Sequence, residues 1–159
     1  MNTKNKNFHF KRSLTQNKMT AHDAKAVLVT CMDFRFINDE ISHMKDKGYD
    51  VNFDGFVLAG VSIGINQNKY PEWAKTFFDH IELSKKLHHI KKVVLLDHLD
   101  CGAYKLFASE FTTEEEEREL HVKELKIAAE KIRTKFPDLK VVCKIMDTDR
   151  TVEKVCVLK

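Results

Sequence analysis

Apolar residues along the chain follow two alternating kinds of spacing. Residues 26–30 (Ala-Val-Leu-Val-Thr) and 91–96 (Lys-Lys-Val-Val-Leu-Leu) are short, β-branched runs of the kind that fill strands buried on both faces. A third run, 55–59, leads into a segment with Gly60 and Gly64 that reads as a loop. Residues 139–146 predict a fourth strand, and 151–158 a fifth by alternation and β-branching. Between these runs the spacing changes to three and four. Ile37, Ile41 and Met44 predict a short helix capped at Gly48, and Trp73, Phe77 and Ile81 a longer one that starts at Pro71 and ends near His88 and His89. Thr113 and Glu116 form a capping-box pattern ahead of Val122, Leu125, Ala129, Ile132 and Phe136, and Pro137 stops that helix. The run from Glu114 to Glu117 reads as its solvated first turn, matched to the positive end of the helix dipole. Strands that alternate with helices predict an α/β fold: a mostly parallel central sheet of four parallel strands plus a fifth edge strand, flanked by helices.

The 159-residue length fits one domain, residues 26–159, preceded by a basic arm, residues 1–25. A 43% hydrophobic fraction with 11 Phe is enough for one core, and no apolar run reaches the roughly 18 residues that a membrane span needs. Of the formal charge of +3, the arm alone supplies +5, from six basic side chains against Asp23. The folded body is therefore slightly acidic, which excludes a phosphate-tracking surface for nucleic acid. The arm also lacks the 7 to 15 apolar residues of a secretory leader, so a cytoplasmic, reducing location is expected. There, Cys31, Cys101, Cys143 and Cys156 read as metal ligands, nucleophiles or small buried hydrophobes rather than a disulfide framework.

Two polar clusters stand directly behind predicted strands. Cys31-Met32-Asp33-Phe34-Arg35 follows the first, and His98-Leu99-Asp100-Cys101-Gly102 follows the third and Asp97. Ligands of parallel sheets bind beyond the carboxyl ends of strands, where the strand order reverses. If the first and third strands are neighbours there, Cys31, His98 and Cys101 converge although 67 positions separate Cys31 from His98. Two thiolates and an imidazole are donors that zinc favours, and three protein ligands leave a fourth tetrahedral position for chemistry. Arg35 is one of only 5 Arg in a lysine-rich chain, a choice that suits a planar fork gripping Asp33. A phosphatase built on Cys31 needs an Arg six positions on, where Ile37 stands, and no CxxC supports a thioredoxin-like dithiol.

The pentapeptide CMDFR followed by HLDCG resembles the CxDxR and HxxC zinc signatures of the beta-class carbonic anhydrases, and the strand–helix order over almost the whole chain outside the arm is similar to that family's domain. The resemblance implies one Zn2+ per chain on Cys31, His98 and Cys101, with Asp33 and Arg35 as the catalytic dyad. It implies reversible hydration of CO2 to bicarbonate and a proton through zinc-bound hydroxide; in some members the Asp closes the site as a fourth ligand. It also implies a homodimer or higher homo-oligomer. Alternatives that keep the same site are hydrolysis of a related heterocumulene, COS or CS2, and a zinc-binding homologue without turnover. The chain departs from the family where an Arg-Asn-Ala-Gly stretch is usual: Val57 and Leu58 replace the two polar residues ahead of Ala59 and Gly60, and Asp97 stands where a Gly usually precedes the ligand histidine. Leu58, Ala59, Gly60 and Tyr104 are expected to line a substrate pocket, Asp100 and Gly102 to fix the ligand loop, and Phe34 and Phe36 to belong to the core or the cleft wall. Cys143 and Cys156 are expected as separate core residues, and His88 and His89 at the surface.

Overall fold

A computed structural model describes residues 22–50, 52–108 and 110–159. In chain order the elements are β1 (Val27–Thr30), α1 (Ile37–Asp46), β2 (Asp54–Val57), α2 (Ser62–Asn66), α3 (Pro71–His88), β3 (Lys92–His98), α4 (Gly102–Phe107), α5 (Glu114–Lys135), β4 (Lys140–Met146) and β5 (Val152–Leu158). One sheet runs β2-β1-β3-β4-β5, its first four strands parallel and β5 antiparallel on β4. β1 is buried throughout, and β3 beyond its first residue, because both are interior strands with helices on each face. The edge strand β2 alternates in exposure, as one-sided burial requires, whereas β5 breaks alternation where its register with β4 shifts near Cys143 and Lys144.

Helix α1 covers one face, packing Met44 and Phe36 on Leu28, Leu96 and Met146. On the other face, α3 contributes Phe77 and Ile81, and α5 contributes Leu125 and Ile132, against Val29, Leu95 and Val141. The ends follow local chemistry. Pro71 opens α3, His89 closes it in the left-handed region, and Gly48 takes φ +78° after α1. At α5 the capping box forms: Glu116 N–H donates to Thr113 Oγ1 at 3.2 Å, and Thr113 N–H donates back to the Glu116 carboxylate at 3.1 Å.

Three differences from the sequence reading concern short or paired features. The glycine segment after β2 is not all loop, since it turns into the five-residue α2, and α4 forms directly after Cys101. Both are too short to display a helical period. Cys143 is in the core as expected, with Cys156 packed against it, but the two are bonded as a disulfide across β4 and β5, with Cα atoms 4.9 Å apart. The antiparallel return of β5 places them opposite each other in register, which spacing in the chain does not reveal. Of the expected arm, residues 1–21 lie outside the described residues; Ala24 N–H donates to the His88 carbonyl at 2.8 Å. No helix among the described residues is long and apolar enough to cross a membrane.

Leu95 lies at the centre of this arrangement, fully buried on β3. Leu95→Ala is expected to lower unfolding stability by about 2–5 kcal/mol in urea denaturation; a loss under about 1 kcal/mol would contradict the packing described.

Candidate metal centre

Because β1 and β3 pair in parallel with Thr30 opposite Leu96, their carboxyl ends finish side by side. Cys31 is the next residue after β1, His98 is the last of β3, and Cys101 stands at the start of α4. Their ligating atoms all lie within 4.8 Å of one another, and all three residues are buried. The Cys31 and Cys101 sulfurs are 4.0 Å apart and unbonded.

Each donor is oriented from behind. The His98 ring stacks on Phe36 with centroids 4.4 Å apart, and its Nδ1 donates to the Leu99 carbonyl at 2.9 Å. A carbonyl only accepts, so Nδ1 carries a proton, and in the neutral ring that metal binding requires the lone pair is on Nε2. That Nε2 is buried with no hydrogen-bond partner. Gly60 N–H donates to Cys31 Sγ at 3.3 Å. The two thiols share a proton: the hydrogen bond from Cys101, helped by His98 and Gly60, draws Cys31 well below an ordinary thiol, while donation to that thiolate and burial push Cys101 up. Burial works against charge on His98, but Cys31, the Leu99 carbonyl and Asp33 outweigh it and raise its affinity for a proton.

Arg35 organises the rim. Its Nε lies 3.0 Å and 3.1 Å from the two Asp33 carboxylate oxygens and its Nη2 donates to Oδ2 at 2.6 Å, while Nη1 donates to Asp100 at 2.9 Å and Nη2 to the Asp100 carbonyl at 3.0 Å. The guanidinium beside Asp33 holds its carboxyl down at about 2, against some desolvation. Asp33 is thus ionised at neutral pH, with Oδ2 3.9 Å from His98 Nε2. Asp100 takes φ +55° to turn toward Arg35, a conformation that its short polar side chain tolerates.

A cleft of about 530 Å³ opens beside Cys31, Asp33 and Arg35. Its apolar wall comes from Phe34, Ala59, Tyr70, Trp73, Leu106 and Phe107. Of Leu58, Ala59, Gly60 and Tyr104, expected to line it, only Ala59 does so; of Phe34 and Phe36, Phe34 stands on the cleft wall and Phe36 is buried in the core. Leu58 packs beside Gly64 instead, and Gly60 sits behind Cys31. Tyr104 is a correction: it is fully buried, and its hydroxyl donates to Asp97 at 2.8 Å and lies 2.7 Å from Ser62 Oγ, because α4 turns this position inward toward α5. In the acidic first turn of α5, Glu114, Glu115 and Glu116 are exposed as expected, but Glu117 is 6% exposed and accepts from Cys101 N–H at 3.1 Å. The cleft aromatics Tyr70 and Trp73, and the buried His121 of α5, are further residues that sequence reasoning missed. His121 was within reach, for it extends the apolar stripe of Leu125, Ala129 and Ile132 by one step of four.

The donors fit zinc. Tetrahedral bonds of about 2.3 Å to two thiolates place the sulfurs roughly 3.8 Å apart, near the separation found, and a lone buried imidazole nitrogen completes an S2N set. A buried ring nitrogen without a partner is costly, and a metal satisfies it.

Two expectations follow from the geometry. At Gly60, φ is +71° and an added Cβ would stand 2.5 Å from Ile63 and 2.8 Å from Ala103, so Gly60→Ala is expected to cost at least about 1 kcal/mol in thermal denaturation. An unchanged melting temperature would refute the close approach. For Asp33, the depressed folded pKa means that its ion pair adds full stability above the unfolded value of about 3.9 and loses it as pH falls through about 2. In Arg35→Ala the Asp33 carboxyl is expected to titrate near the ordinary range by carbon-13 NMR; an unmoved midpoint would mean that Arg35 is not the cause.

Comparison with known proteins agrees with this architecture. A family model described as "Putative carbonic anhydrase" matches residues 21–156. An uncharacterized protein of Rickettsia bellii is 39% identical over 138 residues, covering 86% of this chain and 84% of its own, and one of Rickettsia conorii is 40% identical over 138 residues, covering 86% and 74%. The fold is similar to that of a β-carbonic anhydrase from the filamentous fungus Aspergillus fumigatus, with a TM-score of 0.53 at 10% identity over 84% of this chain and 90% of that one. With the match extending from residue 21 to residue 156 and so taking in both polar clusters, the chain belongs to this carbonic anhydrase family.

Proposed function

We propose that residues 26–159 form a single catalytic domain for the reversible hydration of CO2 to bicarbonate and a proton, with one Zn2+ held by Cys31, His98 and Cys101. The observation that carries this reading is the unpartnered His98 Nε2 facing two thiols, with an ionised Asp33 beside it. Bound there, zinc would make a coordinated water acidic enough to supply a nucleophile near neutral pH. Asp33, ionised beside that position, would accept a hydrogen bond from the water and orient it. Arg35 keeps Asp33 charged and aimed, and Asp100 fixes the far end of Arg35. The apolar wall of the cleft admits an apolar substrate and limits competing water.

That wall also favours a second reading, in which the same site hydrolyses COS or CS2. A zinc-binding homologue without turnover is the third. Exposed Met32, Phe34 and Leu106 at the cleft rim support a homodimer or higher oligomer that covers them. The cytoplasm is the proposed location, because the unbonded thiols of Cys31 and Cys101 need a reducing compartment; we weigh this above the β4–β5 disulfide, a bond uncommon there.

Stopped-flow CO2 hydration, sulfide release from COS and CS2, and metal analysis separate these readings. The expected result is about one zinc per chain, hydration lost in Cys101→Ser, and a fall of about a hundredfold or more in Asp33→Asn. With Asp33 held by Arg35, activity is expected across pH 6.5 to 9; a site silent at the low end that opens as pH rises would mark Asp33 as a fourth ligand. Sulfide release without hydration would select the second reading, and zinc without either activity the third.

A further inference from the structure

Behind Cys101 lies a fully buried charged cluster that the proposed chemistry does not use. Asp97 is saturated: Oδ2 accepts from Ser62 Oγ at 2.5 Å, Tyr104 Oη at 2.8 Å and His121 Nδ1 at 2.8 Å, and Oδ1 accepts from Ser62 N–H at 3.2 Å. His121 is fully buried between two carboxylates, with Nδ1 on Asp97 and Nε2 3.7 Å from Glu117. Its ring stacks on Tyr104 with centroids 3.6 Å apart. Glu117 then reaches the metal site itself, accepting the Cys101 N–H at 3.1 Å. At the other end, Ser62 follows Gly60, whose N–H meets Cys31 Sγ, through Val61 at φ +42°, a strained value for a β-branched residue.

The cluster is therefore one continuous brace between the two halves of the site. Asp97 clamps the strained Gly60–Ser62 turn that supports Cys31, and Glu117 pins the backbone of Cys101. His121 stands between the two carboxylates, hydrogen-bonded to Asp97 through Nδ1, with Nε2 3.7 Å from Glu117 and without a hydrogen bond of its own. We infer that Glu117 and His121 are positioning residues of the metal centre, acting through the Cys101 N–H to hold the ligand loop in its binding geometry before a metal arrives. The inference rests on the reading of Cys31, His98 and Cys101 as metal ligands. Partners of this kind change metal affinity by about 10- to 100-fold when lost.

Glu117 can be varied without gross change of size. Glu117→Asp keeps the charge but withdraws the carboxylate from Cys101 by one methylene, whereas Glu117→Gln drops the charge and keeps the acceptor. His121→Asn retains a donor for Asp97 and nothing near Glu117. Zn2+ affinity by competition with a chromophoric chelator, the absorption spectrum of the Co2+-loaded protein and amide hydrogen exchange at Cys101 in the metal-free wild type are the readouts. Glu117→Asp and His121→Asn are expected to weaken Zn2+ binding at least about tenfold with an altered Co2+ spectrum, Glu117→Gln to stay within about threefold of wild type, and the Cys101 amide to be protected. Wild-type affinity and spectrum in both Glu117→Asp and His121→Asn would overturn the inference. So would loss in Glu117→Gln with retention in Glu117→Asp, since charge and not the hydrogen bond would then act. Rapid exchange at Cys101 would overturn it without any variant. Failure of the wild type to bind Zn2+ or Co2+ would instead refute the ligand reading beneath it.

Discussion

The parallel pairing of β1 with β3 is the contact on which the site depends. Parallel strands in one sheet end at the same level, and the register Thr30 opposite Leu96 brings Cys31, one residue further on, and His98, two residues further on, to one place. The reversal of strand order about β1 leaves the crevice there uncovered by a crossover, so the same pairing makes the site and its access. Burial of β1 and β3 on both faces keeps that geometry stiff, with helix α1 packed below and α3 and α5 above.

Charge is managed outward from that point. Two thiols and an imidazole in a buried pocket need either shared protons or a cation. At the mouth, Arg35 ties Asp33 to Asp100, and in the interior His121 ties Asp97 to Glu117. Each arrangement places one nitrogen-bearing side chain, a guanidinium or an imidazole, between two carboxylates, and each has one carboxylate beside a ligand residue. Positive φ at Gly60, Val61 and Asp100 shows where the backbone is bent to make these contacts, and the hydrogen bonds of Asp97 and Arg35 hold it there.

Much of this was legible in the chain. The buried strands, the long helices and the capping box at Thr113 each have a local signature, and the two motifs could be placed at strand ends before their convergence was seen. What spacing could not show depends on tertiary contact. Glu117 looks like any solvated helix-start glutamate until α5 is docked against the Cys101 loop. Tyr104 lies in a six-residue helix whose direction is set by its neighbours. Cys143 and Cys156 meet only because β5 returns antiparallel in one register. The apolar cleft wall draws Tyr70 and Trp73 from the start of α3, far in sequence from either motif.

Asp97 shows how a buried carboxylate is accommodated at a strand end. A carboxylate at the end of an interior strand would be intolerable alone, yet here it meets four donor contacts from Ser62, Tyr104 and His121. We propose that two thiolates and one imidazole hold a metal at the β1–β3 ends. Zinc K-edge X-ray absorption on the purified protein tests it most directly. Two sulfurs at about 2.3 Å with lighter donors at about 2.0–2.1 Å are the expected shell; a four-sulfur shell, a shell without sulfur, or protein that retains no zinc would contradict it.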